Sequence, residues 1–296
     1  MIYLRSFELP SENAETEYFC GFPYQSQMMC YDHENAYPFW IFSRKYLTKL
    51  DFEPITVFYG GNGSGKSTLL NVIAQKLDVR RSAPFNETPF MRDYVSMCSF
   101  SAVSEIPEES AIITSDGVFD YLLDVRAINK GVDGRREELF REYEKYTDPN
   151  VHFRMRDMSQ YDELKVRNEA RRKTKSAFVT PRLNIGEIRG KSNGESAFLY
   201  FTEHIKENAL YLLDEPENSL SPKLQLELAK FLSDSARFFG CQLIISTHSP
   251  FLLSVKGARI YDLDTAPVEV KKWTELENVR IYHSFFEEHK NEFKNK

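Results

Sequence analysis

The feature that most constrains the fold is a glycine-rich stretch, GGNGSGKSTLL, at residues 60–70. A β-branched and aromatic run at 54–60 precedes it and predicts a buried strand, and apolar residues at helical spacing follow over 66–77. A strand, G-x-x-x-x-G-K-S and a helix are together the context that a phosphate-binding loop requires. A glycine-rich turn without a ligand would not need the Lys-Ser pair. The stretch therefore predicts a nucleotide site in an α/β protein.

The chemistry of such a loop gives each of its residues a role. Backbone N–H groups surround the bound anion, and the helix that follows directs the positive end of its dipole towards it. A lysine at position 66 can reach the β- and γ-phosphates, and a serine at position 67 can ligate Mg²⁺. The predicted nucleotide-binding residues of this stretch are Gly60, Gly61, Asn62, Gly63, Ser64, Gly65, Lys66, Ser67 and Thr68.

Two adjacent carboxylates follow a second apolar run, in ALYLLDEPENSLSP at residues 209–222. The run predicts a buried parallel strand, and such sheets bind ligands at the carboxyl ends of their strands. Asp214 would then hold the Mg²⁺ shell, and Glu215 would orient or deprotonate an attacking water. Neighbouring carboxylates repel each other unless a cation lies beside them, so the pair fits a Mg²⁺-nucleotide site. The alternative is a pair of surface acids at a strand end.

Two further segments give weaker signals. KSNGESAFLYF predicts a helix that Ser192 caps, with Glu195 completing a capping box. The same helix end, with the Ser192 hydroxyl and the Gly194 N–H group, could receive an anion. QLIISTHSP predicts another buried strand, and His248 at its end could contact a γ-phosphate or the attacking water. Taken alone, capping boxes are common, and a lone histidine is more often a packing or surface residue.

In chain order, GGNGSGKST, SNGE, LYLLDEPENSLSP and STHSP resemble the ABC-type ATPase superfamily: its Walker A loop, signature, Walker B strand with D-loop, and histidine switch. More narrowly, NGES, LYLLDEPENSLSP, IISTHSPFLL and ARIYDLD resemble stand-alone bacterial AAA-family ATPases related to overcoming-lysogenization-defect and DNA-repair ATPases. The resemblance implies an ABC-ATPase-like α/β P-loop sandwich with a helical insertion between Walker A and the signature. It implies ATP and Mg²⁺ as cofactors, Glu215 and His248 as catalytic residues, and Ser67 and Asp214 as metal ligands.

The resemblance also implies a homodimer with ATP at the interface. In this superfamily the signature helix faces the nucleotide of the partner subunit, which here would be the role of Ser192 and Gly194. Lys191 and Asn193 depart from the pattern, since they stand where the signature has a leucine and its first glycine. Asn193 could still adopt a left-handed turn.

Two other parts of the family pattern are not fixed by this sequence. No glutamine occupies the usual Q-loop position, where Ser115 and Asp116 are the nearest candidates. That absence counts against a role in transport, because transporter subunits couple to their membrane partners through this loop. No choice of an adenine-stacking aromatic can be made among Tyr37, Phe39 and Trp40.

A basic segment occupies residues 154–191, with eleven Lys or Arg residues and five Asp or Glu residues. Its net charge is +6, against −6 for the whole chain, so the rest carries −12. A helix bearing ARRKTK could bind a nucleic acid or an acidic protein effector. The alternative is a solvated helix face, which is what most charge runs are.

The remaining sequence bounds the class of protein. No apolar run approaches the roughly 18 residues of a membrane span, so no transmembrane segment is expected. Four cysteines without C-x-x-C spacing favour reduced thiols in a cytoplasmic protein. Strand-like runs also lie at 2–9, 37–43 and 111–114, and α/β alternation continues over the last hundred residues.

These observations predict a single ABC-type ATPase domain over residues 1–296, with a helical, basic insertion at about 120–185. The predicted function is ATP binding and hydrolysis by a homodimeric switch that acts with a partner in DNA maintenance or anti-phage defence. The alternative is the ATP-binding subunit of a membrane transporter.

Overall fold

The structure is a computed structural model, and it describes residues 1–20, 36–85, 87–148, 153, 160–183 and 192–294. The chain divides into two compact units. The first comprises Met1–Phe119 and Asn193–Lys296, and the second comprises Asp120–Ser192. The predicted insertion at about 120–185 falls within the range of the second unit.

All strands of the described residues belong to the first unit. They are β1 (Leu4–Glu8), β2 (Lys49–Asp51), β3 (Ile55–Tyr59), β4 (Arg80–Arg81), β5 (Ser99–Ala102), β6 (Ala111–Thr114), β7 (Leu210–Asp214), β8 (Gln242–Ser246), β9 (Arg259–Asp262) and β10 (Glu269–Lys271). The helices are α1 (Glu12–Cys20), α2 (Lys66–Lys76), α3 (Met91–Met97), α4 (Ser115–Thr147), α5 (Tyr161–Arg172), α6 (Lys175–Val179), α7 (Asn193–His204), α8 (Pro222–Phe238), α9 (Pro250–Leu253) and α10 (Glu277–Glu288).

The main sheet has seven strands in the order β10-β9-β3-β8-β7-β6-β4. All neighbours are parallel except β10, which is antiparallel to β9. A separate antiparallel sheet has the order β2-β1-β5. These parallel strands, alternating with helices, confirm the predicted α/β fold. Because parallel strands end at the same edge of a sheet, the residues that follow β3, β7 and β8 emerge together there.

The helix after the glycine-rich loop packs on this sheet as its apolar spacing predicts. α2 contacts β6, β7 and β8. Leu69, Leu70 and Ile73 are fully buried, which accounts for the helical period read from the sequence. Ser221 caps α8 by accepting a hydrogen bond from the N–H group of Leu224, with a proline at the first helical position.

One predicted strand is wrong. The aromatic run at residues 37–43 forms turns that lead into a short 3₁₀ helix at Ser43–Lys45. Trp40 has a positive φ of 59°, and the N–H group of Phe39 bonds to the carbonyl of Ala36 as in a turn. Phe39 and Phe42 are buried in the core. The run is therefore apolar because it is buried in the core, and it is buried as an irregular segment instead of as a strand.

The second unit, in its described part, is built from helices around a small core of its own. This core consists of Val132, Leu139, Ala170, Phe178, Val179 and Leu183. None of the helices in the described parts of the chain combines the length and the apolarity needed to cross a lipid bilayer.

The basic side chains of this unit are mostly paired with acids of the same unit. Lys173 and Arg182 share the carboxylate of Glu169, and Lys175 contacts Glu144 at 2.8 Å. Arg167 is likewise paired with an acid one turn earlier in α5. These pairs favour the solvated-face alternative for the described part of the basic segment. Its other members, Arg154, Arg156, Arg189 and Lys191, lie outside the described residues.

The Glu169 carboxylate that Lys173 and Arg182 share leads to a prediction about stability and pH. Hydrogen bonds from Arg182 and Lys173 lower the pKa of Glu169 to about 2. A carboxyl whose pKa is lower in the folded chain stabilises the fold above its unfolded pKa of about 4.3, and this stabilisation is lost as pH falls towards the folded value. We expect Glu169→Gln to lower the melting temperature at pH 7, with the difference from wild type shrinking between about pH 4.3 and 2. Circular dichroism melts measure this; Asp124→Asn, an exposed acid on α4, is the control. A difference that is constant with pH would contradict it.

Candidate nucleotide site

The loop between β3 and α2 has a backbone that its glycines make accessible. Gly63 and Gly65 have φ angles of 80° and 101°, in the left-handed region that favours glycine. A Cβ at Gly60 would lie 2.5 Å from the Oγ of Ser64, so no side chain fits there. Residues 61–63, which include the predicted Asn62, are exposed. The loop thus leaves its backbone open to a ligand on one side.

Lys66 begins α2 and points back over the loop. Its side chain is buried, and its ammonium donates hydrogen bonds to the carbonyls of Gly60 at 2.7 Å and Gly61 at 3.0 Å. The same Nζ lies 3.5 Å from Oε1 of Glu215. The positive charge is therefore held in the loop by weak acceptors and one carboxylate. A phosphate entering the loop would offer the ammonium stronger, charged acceptors.

A hydroxyl and a carboxylate meet beside this lysine. The Ser67 hydroxyl donates to Oδ1 of Asp214 at 3.0 Å, and the Ser246 hydroxyl donates to the same oxygen. Burial raises the pKa of Asp214, while these two hydrogen bonds oppose the rise. Oxygen ligands of this kind, on an exposed serine and an acid, suit the hard cation Mg²⁺. The predicted metal ligands Ser67 and Asp214 are thus in contact, and they fit the metal.

Glu215 stands next to Asp214 with an unusual backbone. Its φ is 47°, a left-handed conformation that costs a residue with a side chain about 1–2 kcal/mol. Its N–H group donates to the carbonyl of Ser246 at 3.0 Å, and its Oε2 accepts from the Asn218 amide at 3.2 Å. Nδ1 of His248 lies 3.8 Å from its other oxygen, Oε1. Strain of this kind at a carboxylate that faces the loop is typical of a functional position.

A third carboxylate, Glu217, was not predicted. It is buried, and its Oε1 accepts hydrogen bonds from the Thr247 hydroxyl at 2.7 Å and the His248 N–H group at 3.0 Å. Nδ1 of His248 is 3.6 Å from the same oxygen. Glu217 therefore fixes the backbone that carries His248. Its only signal in the sequence was a further acid two residues after Glu215.

Two more unpredicted residues, Lys45 and Asp264, form hydrogen bonds with the backbone of the loop. The Lys45 ammonium donates to the carbonyls of Ser64 at 2.7 Å and Leu263 at 2.6 Å. Both carboxylate oxygens of Asp264 accept from the Gly61 N–H group, at 3.0 and 2.8 Å. Burial lowers the pKa of Lys45, and the nearby Asp264 opposes that shift. Asp264 follows a strand adjacent to β3, which could have suggested it, whereas nothing in the sequence singled out Lys45.

The aromatic residues before the loop take different places. Phe39 and Trp40 are core residues, at 2% and 8% exposure, and have no face free for a base. The Tyr37 hydroxyl instead donates to Oγ1 of Thr68 at 2.9 Å. Thr68 is buried at the start of α2, so Tyr37 contacts a predicted loop residue.

The signature-like segment lies beside the start of α8. A Cβ at Gly194 would be 2.9 Å from Cδ1 of Leu224 and 3.1 Å from the carbonyl of Ser219, so a glycine allows α7 to approach this segment closely. Asn193 is the first residue of α7, so its backbone is helical and does not use the left-handed turn that was open to it. Ser192 directly precedes α7 and is the last residue of the second unit.

The Q-loop candidates lie at the same sheet edge as the acids. Thr114, the last residue of β6, is aligned with Asp214 in the parallel register of β6 and β7. Ser115 and Asp116 come next and are the first residues of α4. The structure thus brings them to the edge where the loop and the carboxylates meet.

Comparison with family models gives a match to part of the chain. A sequence model of the family described as "AAA domain, putative AbiEii toxin, Type IV TA system" matches residues 134–254. This range includes the signature-like segment, the two acids and His248, and it excludes the glycine-rich loop. No curated protein matches the chain.

Solved structures show similarity at low identity. A dimeric structure of MJ0796, a bacterial ABC transporter cassette, is 16% identical, with a TM-score of 0.37; the match covers 76% of this chain and 88% of that one. The SMC head domain from Thermotoga maritima is 12% identical, with a TM-score of 0.34 and coverage of 92% and 99%. The family model covers less than half of the chain, and it matches the part that follows the glycine-rich loop. The loop between a strand and a helix, in a mainly parallel sheet, is the arrangement of a P-loop α/β fold.

Proposed function

We propose that the chain binds ATP with Mg²⁺ at residues 60–68 and hydrolyses it. The observation that carries this proposal is the meeting of Lys66, Ser67, Asp214 and Glu215 at one sheet edge. Lys66 and the loop N–H groups would bind the β- and γ-phosphates. Ser67 and Asp214 would hold Mg²⁺, which neutralises charge on the phosphates when bound.

Glu215 has the position of a general base in this arrangement. Its Oε1 is 3.5 Å from the Lys66 ammonium. A γ-phosphate would draw that ammonium away, which leaves the carboxylate free to accept a proton from a water attacking phosphorus. Asn218 orients the carboxylate through its other oxygen, and His248 would contact the water or the γ-phosphate. Proton acceptance by Glu215 and charge neutralisation by Lys66 are thus separate tasks.

Substitution of the metal ligand tests the proposal. Because burial raises the pKa of Asp214, its ionised form is disfavoured in the apo fold, and a neutral residue relieves that cost above its ordinary pKa. We therefore expect Asp214→Asn to keep or raise the melting temperature of the apo protein at pH 7. Mg²⁺ should raise the ATP affinity of wild type, and this increase should be smaller by about tenfold or more in Asp214→Asn. Calorimetry with ATP in Mg²⁺ and in EDTA measures this, and an unchanged Mg²⁺ effect would contradict the assignment.

We also propose that ATP drives a homodimer, with the start of α7 facing the nucleotide of the partner subunit. The exposed N–H groups of a helix N-terminus favour the γ-phosphate, which ADP lacks. Glu215→Gln protein should therefore have twice the monomer mass with Mg-ATP and the monomer mass with ADP, a shift set by differential affinity. Adding Ser192→Arg to the same variant should abolish the doubling. Light scattering gives the masses, and a mass that ignores the nucleotide would contradict the dimer.

The biological role we propose is in defence, with a partner protein. The description of the family that matches residues 134–254 names a toxin of a type IV toxin–antitoxin system. This supports a defence role over the transporter alternative. Identification of proteins bound to ATP-trapped Glu215→Gln in the native host tests this. A membrane subunit as the stoichiometric partner would favour transport instead.

A further inference from the structure

The C-terminal helix of the first unit exposes an unusual amount of apolar surface. Val279 is the buried residue of α10, while several large apolar side chains around it are exposed by 39–71%. They are Trp273, Ile281, Tyr282, Phe285, Phe286 and Phe293. Clusters of exposed apolar side chains mark interaction sites.

A groove of about 950 Å³ lies along one face of this helix. Val279, Tyr282 and Phe286, spaced as one helical face, form one wall together with His283. Residues 248–251 also line the groove. The 12 residues of α10 make it about 18 Å long, which is the length of about three turns of a second helix lying along it.

Glu217, one of the residues that line the groove, has a carboxylate oxygen without a hydrogen-bond partner in the described part of the chain. Glu217 lines the groove and is 6% exposed, and its Oε2 is buried without a hydrogen-bond donor among the described residues. Leaving such an atom unpaired costs about 1–3 kcal/mol or more for a charged group. A lysine or arginine from an occupant of the groove would supply the missing donor.

The negative charge around the groove also favours an occupant that carries lysine or arginine. Residues 273–293 contain five glutamates against two Lys or Arg residues, a net charge of −3. The carboxylates of Glu277 and Glu288, at the two ends of α10, are exposed and have no ion pair among the described residues. An apolar row with acids at both ends fits a cationic amphipathic partner. The same acids disfavour an anionic lipid surface.

We propose that this groove binds an amphipathic helix of a partner protein, with its apolar face against Tyr282 and Phe286 and a lysine or arginine at Glu217. The groove is connected to the candidate nucleotide site by two sets of contacts. Glu217 and His248 both line it, and the Asn278 N–H group of α10 donates to the hydroxyl of Tyr59, the residue before the loop, at 3.1 Å. Binding would thus alter the environment of His248 and change ATP turnover; this last step rests on the proposed function.

A defined peptide tests the binding without any nucleotide. The probe is a fluorescein-labelled helical peptide of about four turns with a leucine and phenylalanine face flanked by lysines, and its charge-reversed analogue has glutamate in place of each lysine. We expect the lysine peptide to bind wild type and the analogue to bind at least about tenfold more weakly. Tyr282→Ser with Phe286→Ser should weaken binding of the lysine peptide by about tenfold or more. Phe238→Ser, at a phenylalanine of α8 that is 65% exposed, should leave it unchanged.

A second variant isolates the carboxylate. Glu217→Gln keeps an oxygen for Thr247 and His248 but removes the charge, so it should weaken the lysine peptide and leave the analogue unaffected. Equal binding of both peptides, or no effect of Tyr282→Ser with Phe286→Ser, would overturn the proposal. A wild-type dimer formed without nucleotide that this double variant dissolves would also overturn it, in favour of a second copy.

Turnover is measured separately. The lysine peptide should change the ATP turnover of wild type and of Phe238→Ser but leave that of Tyr282→Ser with Phe286→Ser unchanged. Peptide binding in a protein without turnover would refute the proposed function and leave the docking site standing. Turnover without specific peptide binding would do the reverse.

Discussion

Glu215→Gln should bind ATP with retained affinity and hydrolyse it about 10²–10⁴-fold more slowly than wild type. Glutamine keeps the size of the side chain and can keep the contact with Asn218, but it cannot accept a proton at neutral pH. The Mg²⁺ ligands Ser67 and Asp214 are untouched. Phosphate release at saturating ATP, measured beside ATP binding by calorimetry, gives the two quantities. Glu227→Gln, an exposed glutamate on α8, is the matched control and should behave as wild type. Wild-type turnover in Glu215→Gln would rule out the general-base role.

Lys66→Ala should abolish ATP binding instead of turnover alone. The lysine is buried in the loop and is the cation placed to meet the phosphates. Each hydrogen bond to a charged group is worth about 1.5–3 kcal/mol, so losing two predicts at least about a hundredfold loss of ATP affinity. Calorimetry measures the affinity, and a melting curve shows that the variant is folded. Lys230→Ala, on the exposed face of α8, is the control and should bind normally. ATP affinity equal to wild type in Lys66→Ala would place the nucleotide elsewhere.

The site is predictable from the sequence where its residues are close along the chain or follow strands of one sheet. The loop from Gly60 to Ser67 is set by local glycine chemistry and by the strand and helix that bound it. Asp214 is the last residue of β7 and His248 lies just after β8, so their nearness follows from the parallel pairing of these strands. The fold is predictable on the same grounds, because the spacing of the apolar residues and the length of each apolar run distinguish the helix α2 from the strand β3.

The misses arise where three-dimensional packing decides. The aromatic run at 37–43 is buried in turns, and composition cannot distinguish that from burial in a strand. Lys45 donates to the carbonyls of Ser64 and of Leu263, which are far apart in the chain, and no spacing in the sequence encodes such a meeting. Glu217 looked like one more surface acid, and only its buried hydrogen bonds to Thr247 and His248 show that it holds the histidine segment.

The central claim is that one site both binds ATP and hydrolyses it. The most direct test is to incubate each protein with Mg-ATP, separate it rapidly from free nucleotide, and identify what remains bound. Glu215→Gln should carry intact ATP, and Lys66→Ala should carry no nucleotide. Wild type should carry ADP or none, with free phosphate in solution. Contradiction would come from ADP on Glu215→Gln at the wild-type level, or from intact ATP on Lys66→Ala.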